Sequence, residues 1–264
     1  MKPRIFGSAK FAAGEVGLGT WQLGADWGDV TEDAALATLR AAHEAGTNFF
    51  DTADVYGAGR SERLIGRFLK ETPARIFIAT KLGRFSDPGW PANFTRAAVR
   101  RHTEASLQRL GVDALDLTQF HCVPFEVLKR GELFGWLGEL QTEGKIRAYG
   151  ASVESMDEAL WCVEQEGCAS LQIIFNIFRQ KPIAALFATA RAASLTFPIS
   201  NHSTPASCRA RSGSMAWSER LIRSSPADSS AAIFASSRRV PLVWSETAVT
   251  HPIALRPATS SGSR

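Results

Sequence analysis

The sequence has no CxxC pair and no histidine at metal-ligand spacing from any of its four cysteines, Cys122, Cys162, Cys168 and Cys208. That argues against a zinc centre and a disulfide framework, and the cysteines read as reduced, mostly buried apolar residues. No long apolar run follows the charged start Met1-Lys2-Pro3-Arg4-Ile5-Phe6-Gly7. This argues against a leader or a membrane span and makes a cytoplasmic location the default expectation. Tyrosine is scarce, with only Tyr56 and Tyr149 among 264 residues. A dinucleotide-binding GxGxxG turn is missing too: Gly17-Leu18-Gly19-Thr20-Trp21-Gln22 lacks the third glycine and opens no helix at once, which weighs against an open doubly wound sheet. Lysine disappears after Lys181, and acidic residues nearly do.

What is present is a regular alternation of strand-like and helix-like segments. With 45% hydrophobic and 21% charged residues the chain can bury a sizeable core. Its length suits a single β/α barrel, a fold of about 250 residues. After an N-terminal hairpin, strands are predicted over 16–21, 47–51, 75–81, 114–121, 146–153 and 171–178. Thr31 caps the first helix, Glu32 and Asp33 suit its positive end, and Gly46 stops it. Helices follow over 61–70, 95–110 (ending at Gly111) and 128–143; Ser155 and Glu158 form a capping box for the fifth, and Pro182 suits the first turn of a sixth. Strands alternating with helices require crossovers and a parallel sheet. The expected fold class is therefore α/β, a TIM barrel in which six βα units are recognisable, over residues 1–187.

Three successive predicted strands end in titratable residues: Asp51, Lys81 and His121, with Tyr56 in the loop after the first. Singly, each has an ordinary reading, as a helix cap, a solvated loop lysine or a satisfied buried imidazole. In a parallel barrel, however, all C-terminal strand ends meet on one rim, so the four are expected to converge on one cavity.

Five segments together resemble the aldo-keto reductase family: Gly17-Leu18-Gly19-Thr20-Trp21-Gln22-Leu23-Gly24, Asp51-Thr52-Ala53-Asp54-Val55-Tyr56-Gly57-Ala58-Gly59-Arg60-Ser61-Glu62, Ala79-Thr80-Lys81, Asp116-Leu117-Thr118-Gln119-Phe120-His121, and Gly144-Lys145-Ile146-Arg147-Ala148-Tyr149-Gly150-Ala151-Ser152. They occur in the family's order and cover about the first 180 residues. The resemblance implies a (β/α)8 barrel, NADPH as hydride donor and reduction of a small-molecule aldehyde or ketone to an alcohol. It implies a catalytic tetrad of Asp51, Tyr56, Lys81 and His121. It also implies cofactor contacts from Gly19, Thr20, Trp21 and Asp51, and carboxamide contacts from Ser152 and Gln172, with Asn176 a weaker candidate. Many members have Asn directly after the serine, where this chain has Val153. A phenol with an ordinary pKa of about 10 is a poor acid at neutral pH unless a cation favours its ionised form. Lys81 is expected to be that cation, Asp51 to hold the ammonium, and His121 to orient the carbonyl and share its proton with Tyr56. A competing reading is a cofactor-binding regulatory or sensor protein of the same fold.

Beyond Lys181 the composition changes. The first 181 residues hold 21 basic against 23 acidic side chains; the remainder holds nine Arg, no Lys and three acidic residues, is rich in Ser, and keeps only Gly213 and Gly262. The stretch 195–200 passes for a strand, but residues 188–264 otherwise show neither helical nor alternating periodicity. They are expected to form a non-family tail, disordered or poorly packed. A segment translated out of frame, with its junction between about 182 and 196, accounts for the bias; a genuine basic extension is the alternative. Scattered Arg without Lys or interleaved aromatics argues against a nucleic-acid-binding arm. A barrel stopping after six strands exposes sheet edges and loses the loops that hold cofactor phosphates, so weak or absent reductase activity is expected.

Overall fold

The structure, a computed structural model, describes residues 3–6, 11–24, 28–176, 178–192 and 199–200. An antiparallel hairpin, β1 (Pro3–Phe6) and β2 (Phe11–Gly14), precedes β3 (Leu18–Gly19) and a short 3-10 turn, Trp21–Gly24. Then come α1 (Glu32–Glu44), β4 (Phe49–Asp51), α2 (Arg60–Glu71), β5 (Phe77–Leu82), α3 (Arg96–Leu110) and β6 (Leu117–His121). The described chain continues through α4 (Phe125–Leu128), α5 (Glu132–Thr142), β7 (Tyr149–Val153), α6 (Met156–Val163), β8 (Cys168–Ile174), α7 (Lys181–Ala185), α8 (Phe187–Ala192) and β9 (Ile199–Ser200). β3 to β9 form one parallel sheet in sequence order. Among the described residues this is a curled, half-barrel parallel sheet of six strands with two residues of a seventh.

The predicted caps at Thr31, Ser155 with Glu158, and Gly111 are in place, and Thr95, foreseen as the first residue of its helix, is the N-cap of α3. Thr31 and Thr95 accept from the backbone amides of Ala34 and Ala98, Ser155 and Glu158 form a reciprocal box, and Gly111 ends α3 in the left-handed region. The strand foreseen over 16–21 is only Leu18–Gly19, with Trp21 already in the 3-10 turn, and three further details differ from expectation. The helix foreseen over 128–143 is two, because Gly131 turns the chain at φ 81 between α4 and α5. The sixth strand stops at Ile174 instead of 178, because Asn176 Oδ1 accepts from the amides of Phe178 (2.9 Å) and Arg179 (3.1 Å) and closes a tight turn. The strand-like stretch 195–200 contributes β9, which pairs with Ile173 and Ile174 of β8, so the sheet extends past the sixth strand. Of the tail expected over 188–264, residues 188–192 continue α8 and 199–200 form β9, while 193–198 and 201–264 lie outside the described residues.

Side-chain parity decides what each face of the sheet carries. Phe49, Phe77, Ala79, Leu117, Ala148 and Ala169 form one cluster with Phe6 and Ala13 of the hairpin, Phe6 lying 5.6 and 4.7 Å ring to ring from Phe49 and Phe77. Phe50, Ile78, Phe120, Ala151, Leu171 and Ile173 belong to the larger cluster shared with Leu39, Leu64, Ile65, Phe68, Leu137 and Ala159 of the helices. The hairpin thus closes the N-terminal end of the inner face with aromatic side chains, each contributing about 1.5–3 kcal/mol on full burial. Two residues further along the same face come Asp51 after Phe49 and Lys81 after Ala79, polar groups in place of apolar ones.

Candidate active site

Neighbouring strands end in register: Asp51 opposite Ala79, Lys81 opposite Gln119, His121 opposite Ser152, and Ser152 opposite Gln172. Asp51, Lys81, His121, Ser152 and Gln172 therefore border one cleft of about 570 Å³. Its remaining walls are Trp21, Val55, Tyr56, Arg84, Cys122, Val153, Glu154, Ile173 and Ile174. The loop carrying Tyr56 continues along β5, with the amide of Thr52 donating to Ala79 O (2.8 Å) and that of Asp54 to Lys81 O (2.9 Å). Gly57 then turns at φ 56 against the 3-10 turn, where an added Cβ would sit 2.3 Å from the Gly24 carbonyl oxygen. Only glycine permits that approach, and with it the stacking of Trp21 on Tyr56 at 5.9 Å and 17°.

Lys81 organises the charges. Its Nζ, essentially inaccessible, donates to Asp51 Oδ1 (2.7 Å), the Thr52 carbonyl (2.9 Å) and the Tyr56 hydroxyl (3.3 Å), using all three ammonium hydrogens. Burial pulls its pKa down, but Asp51 and Tyr56 together outweigh that and hold the ammonium above its ordinary value. For Tyr56 burial is the largest influence and raises the phenol; Lys81 lowers it, Asp51 raises it again, and the net direction is upward. This corrects the expectation that the cation wins. The single ammonium is already shared with a carboxylate, so it does not offset the cost of burying a phenolate. The phenol accordingly stays protonated through neutral pH, the form that donates. The His121 ring meets Tyr56 edge-on at 6.1 Å and 85°.

A buried hydroxyl network supports Asp51 from below. Thr20 Oγ1 donates to the Asp51 carbonyl (2.9 Å); Ser61 Oγ lies 2.8 Å from Thr20 Oγ1 and 3.0 Å from Thr52 Oγ1. Across the cleft, Gln172 Nε2 donates to Asp51 Oδ2 at 3.2 Å, tying β8 to β4.

Of the residues foreseen from sequence, Asp51, Tyr56, Lys81, His121, Trp21, Ser152 and Gln172 line the cleft. Thr20 does not; it is fully buried beneath Asp51. Gly19 lies at the end of β3 with nothing within 4 Å of where a Cβ would stand. Asn176 is occupied by its own turn. Sequence reasoning missed Arg84 and Cys122, which follow the ends of β5 and β6, and Glu154 beyond β7. Burial, reinforced by Glu154 and opposed by Arg84, pushes the Cys122 thiol up to about 11, so it stays protonated. Among the described residues no group of His, Cys, Asp and Glu could hold a metal ion, and no helix is long and apolar enough to cross a membrane.

The profile of the Aldo/keto reductase family matches residues 15–210, ending ten residues past β9. The NADH-specific methylglyoxal reductase of Escherichia coli (strain K12) is 34% identical over 169 residues, 58% of this chain and 52% of that protein. L-galactose dehydrogenase of Arabidopsis thaliana is 33% identical over 178 residues, 66% of this chain and 55% of that protein. The chain spans about half the length of these curated relatives. Among solved structures, the holo form of an aldo-keto reductase from Bacillus halodurans superposes with a TM-score of 0.68 at 28% identity, covering 75% of this chain and 65% of that one. An aldo/keto reductase from Klebsiella pneumoniae in complex with NADP and acetate gives 0.62 at 28% identity, covering 74% and 66%.

Proposed function

This chain belongs to the aldo-keto reductase family, and from that premise we propose that it reduces a small aldehyde or ketone to the alcohol with NADPH, Tyr56 donating the proton to the carbonyl oxygen. The observation that carries this is the triple engagement of Lys81 Nζ by Asp51, the Thr52 carbonyl and the Tyr56 hydroxyl beside His121, at the mouth of a cleft. The residues present fit a nicotinamide. Gln172 keeps its amide oxygen and one N–H beyond the bond to Asp51, Ser152 brings a hydroxyl, and Trp21 offers an aromatic wall. These three would hold the ring, which when bound supplies the hydride. Tyr56 holds the proton until charge builds on the carbonyl oxygen. Lys81 stabilises the phenolate left behind, Asp51 keeps the ammonium in place, and His121 orients the carbonyl and shares its proton. The Klebsiella relative was crystallised with NADP and the Escherichia coli relative is NADH-specific, so both cofactors belong in the assay. Oxidation of reduced cofactor is followed with an aldehyde such as methylglyoxal, the wild type against Tyr56→Phe. Turnover lost in Tyr56→Phe, with cofactor binding retained by Trp quenching, supports the reading. Equal, measurable turnover in both refutes Tyr56 as the proton donor.

A further inference from the structure

A second cavity, about 390 Å³, lies between α2 and the end of α3 and shares no residue with the active-site cleft. Its charged walls are Arg60, Arg63, Arg67 and Lys70 of α2 and Arg109 of α3, against a single carboxylate, Glu32. At 100° per residue the four α2 cations fall within an arc of about 80°, while Leu64, Ile65 and Phe68 of the same helix are buried in the core. A solvated helix face normally mixes signs, because like charges three or four apart repel. Among the described residues two of the five cations have a carboxylate partner: Arg67 pairs with Glu32, and Arg109 with the buried Glu62 at 2.6 Å. Arg60 donates to the carbonyls of Leu23 and Val30, which orient it without neutralising it, and Arg63 to that of Ala58. The Lys70 side chain has neither an ion pair nor a hydrogen bond among the described residues. The concavity is built by backbone: a Cβ at Gly66 would lie 2.6 Å from the Arg109 carbonyl oxygen and 2.8 Å from that of Leu110, so α2 lies directly on the end of α3. The C-terminal dipole of α3 opposes an anion by about half a charge, against three full charges that have no carboxylate partner among the described residues.

We propose that this cleft binds a polyphosphate group, a chain of phosphates carrying three or more negative charges, with Arg60, Arg63 and Lys70 as its principal contacts. The test is calorimetric titration of the full chain with inorganic tripolyphosphate at low and at physiological salt. Saturable binding at one per chain that weakens steeply with salt is expected, and Arg63→Glu/Lys70→Glu should weaken it at least about tenfold. Arg238→Glu/Arg239→Glu, in the Arg-rich tail, should leave the affinity within about twofold. Lys70→Glu alone serves if the double variant does not fold by circular dichroism, because the Lys70 side chain is exposed and makes no hydrogen bond or ion pair among the described residues. Binding undiminished by the α2 substitutions, or abolished by those in the tail, overturns the proposal, as does the absence of saturation.

Discussion

Replacing Lys81 by Met keeps the bulk of the side chain and deletes its charge. In the fold the Lys81 side chain is 2% exposed and that of its partner Asp51 14% exposed. Asp51 would retain its 3.2 Å bond from Gln172 but lose the only cation within 4.0 Å among the described residues. Orphaning one member of a buried pair costs about 3–5 kcal/mol, whereas removing both members is often nearly neutral. The remaining exposure of Asp51 and its bond to Gln172 place Lys81→Met near the lower end, at about 3 kcal/mol. Asp51→Asn on the same background removes the orphaned charge and should recover about 2 kcal/mol of that loss. Urea denaturation of the wild type, both single variants and the double variant closes the cycle. A double variant no more stable than Lys81→Met, or a cost below about 1 kcal/mol for Lys81→Met alone, would refute the claim that this pair is buried and energetically coupled.

Three further outcomes follow from the same geometry. Tyr56 and Lys81 both hold their protons more tightly in the fold than at their ordinary values of about 10 and about 10.4. Their stabilising contribution is therefore complete below about pH 10 and is lost as pH rises through the raised folded values; urea midpoints should decline there and flatten in Tyr56→Phe/Lys81→Met, and a wild-type profile already flat contradicts the shifts. Gly150→Ala would set a Cβ 2.0 Å from the Ser170 carbonyl oxygen, a backbone atom that cannot swing aside; overpacking there should cost about 3 kcal/mol and lower soluble yield, and an unchanged melting temperature would disprove the close packing of β7 on β8. Ser61→Ala leaves the Thr52 hydroxyl short of a buried partner and should cost about 1–3 kcal/mol in thermal unfolding, with Ser61→Thr as a check on whether a hydroxyl alone suffices.

The elements that sequence reasoning located well are those with local chemical signals. Thr31, Ser155 with Glu158, and Gly111 bound their helices because a side chain or a left-handed turn satisfies free backbone groups wherever the rest of the chain lies. The split between α4 and α5 was missed because Gly131 reads as an ordinary interior residue until its positive φ is known. The early end of β8 was missed because the competing Asx turn at Asn176 differs from a strand only in where one amide oxygen goes. Arg84 and Cys122 carry no motif; they border the cleft because β5 and β6 end beside each other.

By itself the sequence determined the alternation of strands and helices, and the placing of Asp51, Lys81 and His121 at strand ends with Tyr56 one loop beyond. Those follow from hydrophobic runs, caps and chain order, all local properties. Only the tertiary structure decided how the four groups interact. Phe49 and Phe50 are both fully buried, so composition does not tell which face of β4 is the inner one; the register of β4 on β5 does, and it sends Asp51 and Lys81 to the same cleft. The upward direction of Tyr56 was likewise out of reach, because it depends on how much water the folded chain excludes around a phenol whose nearest cation is already shared.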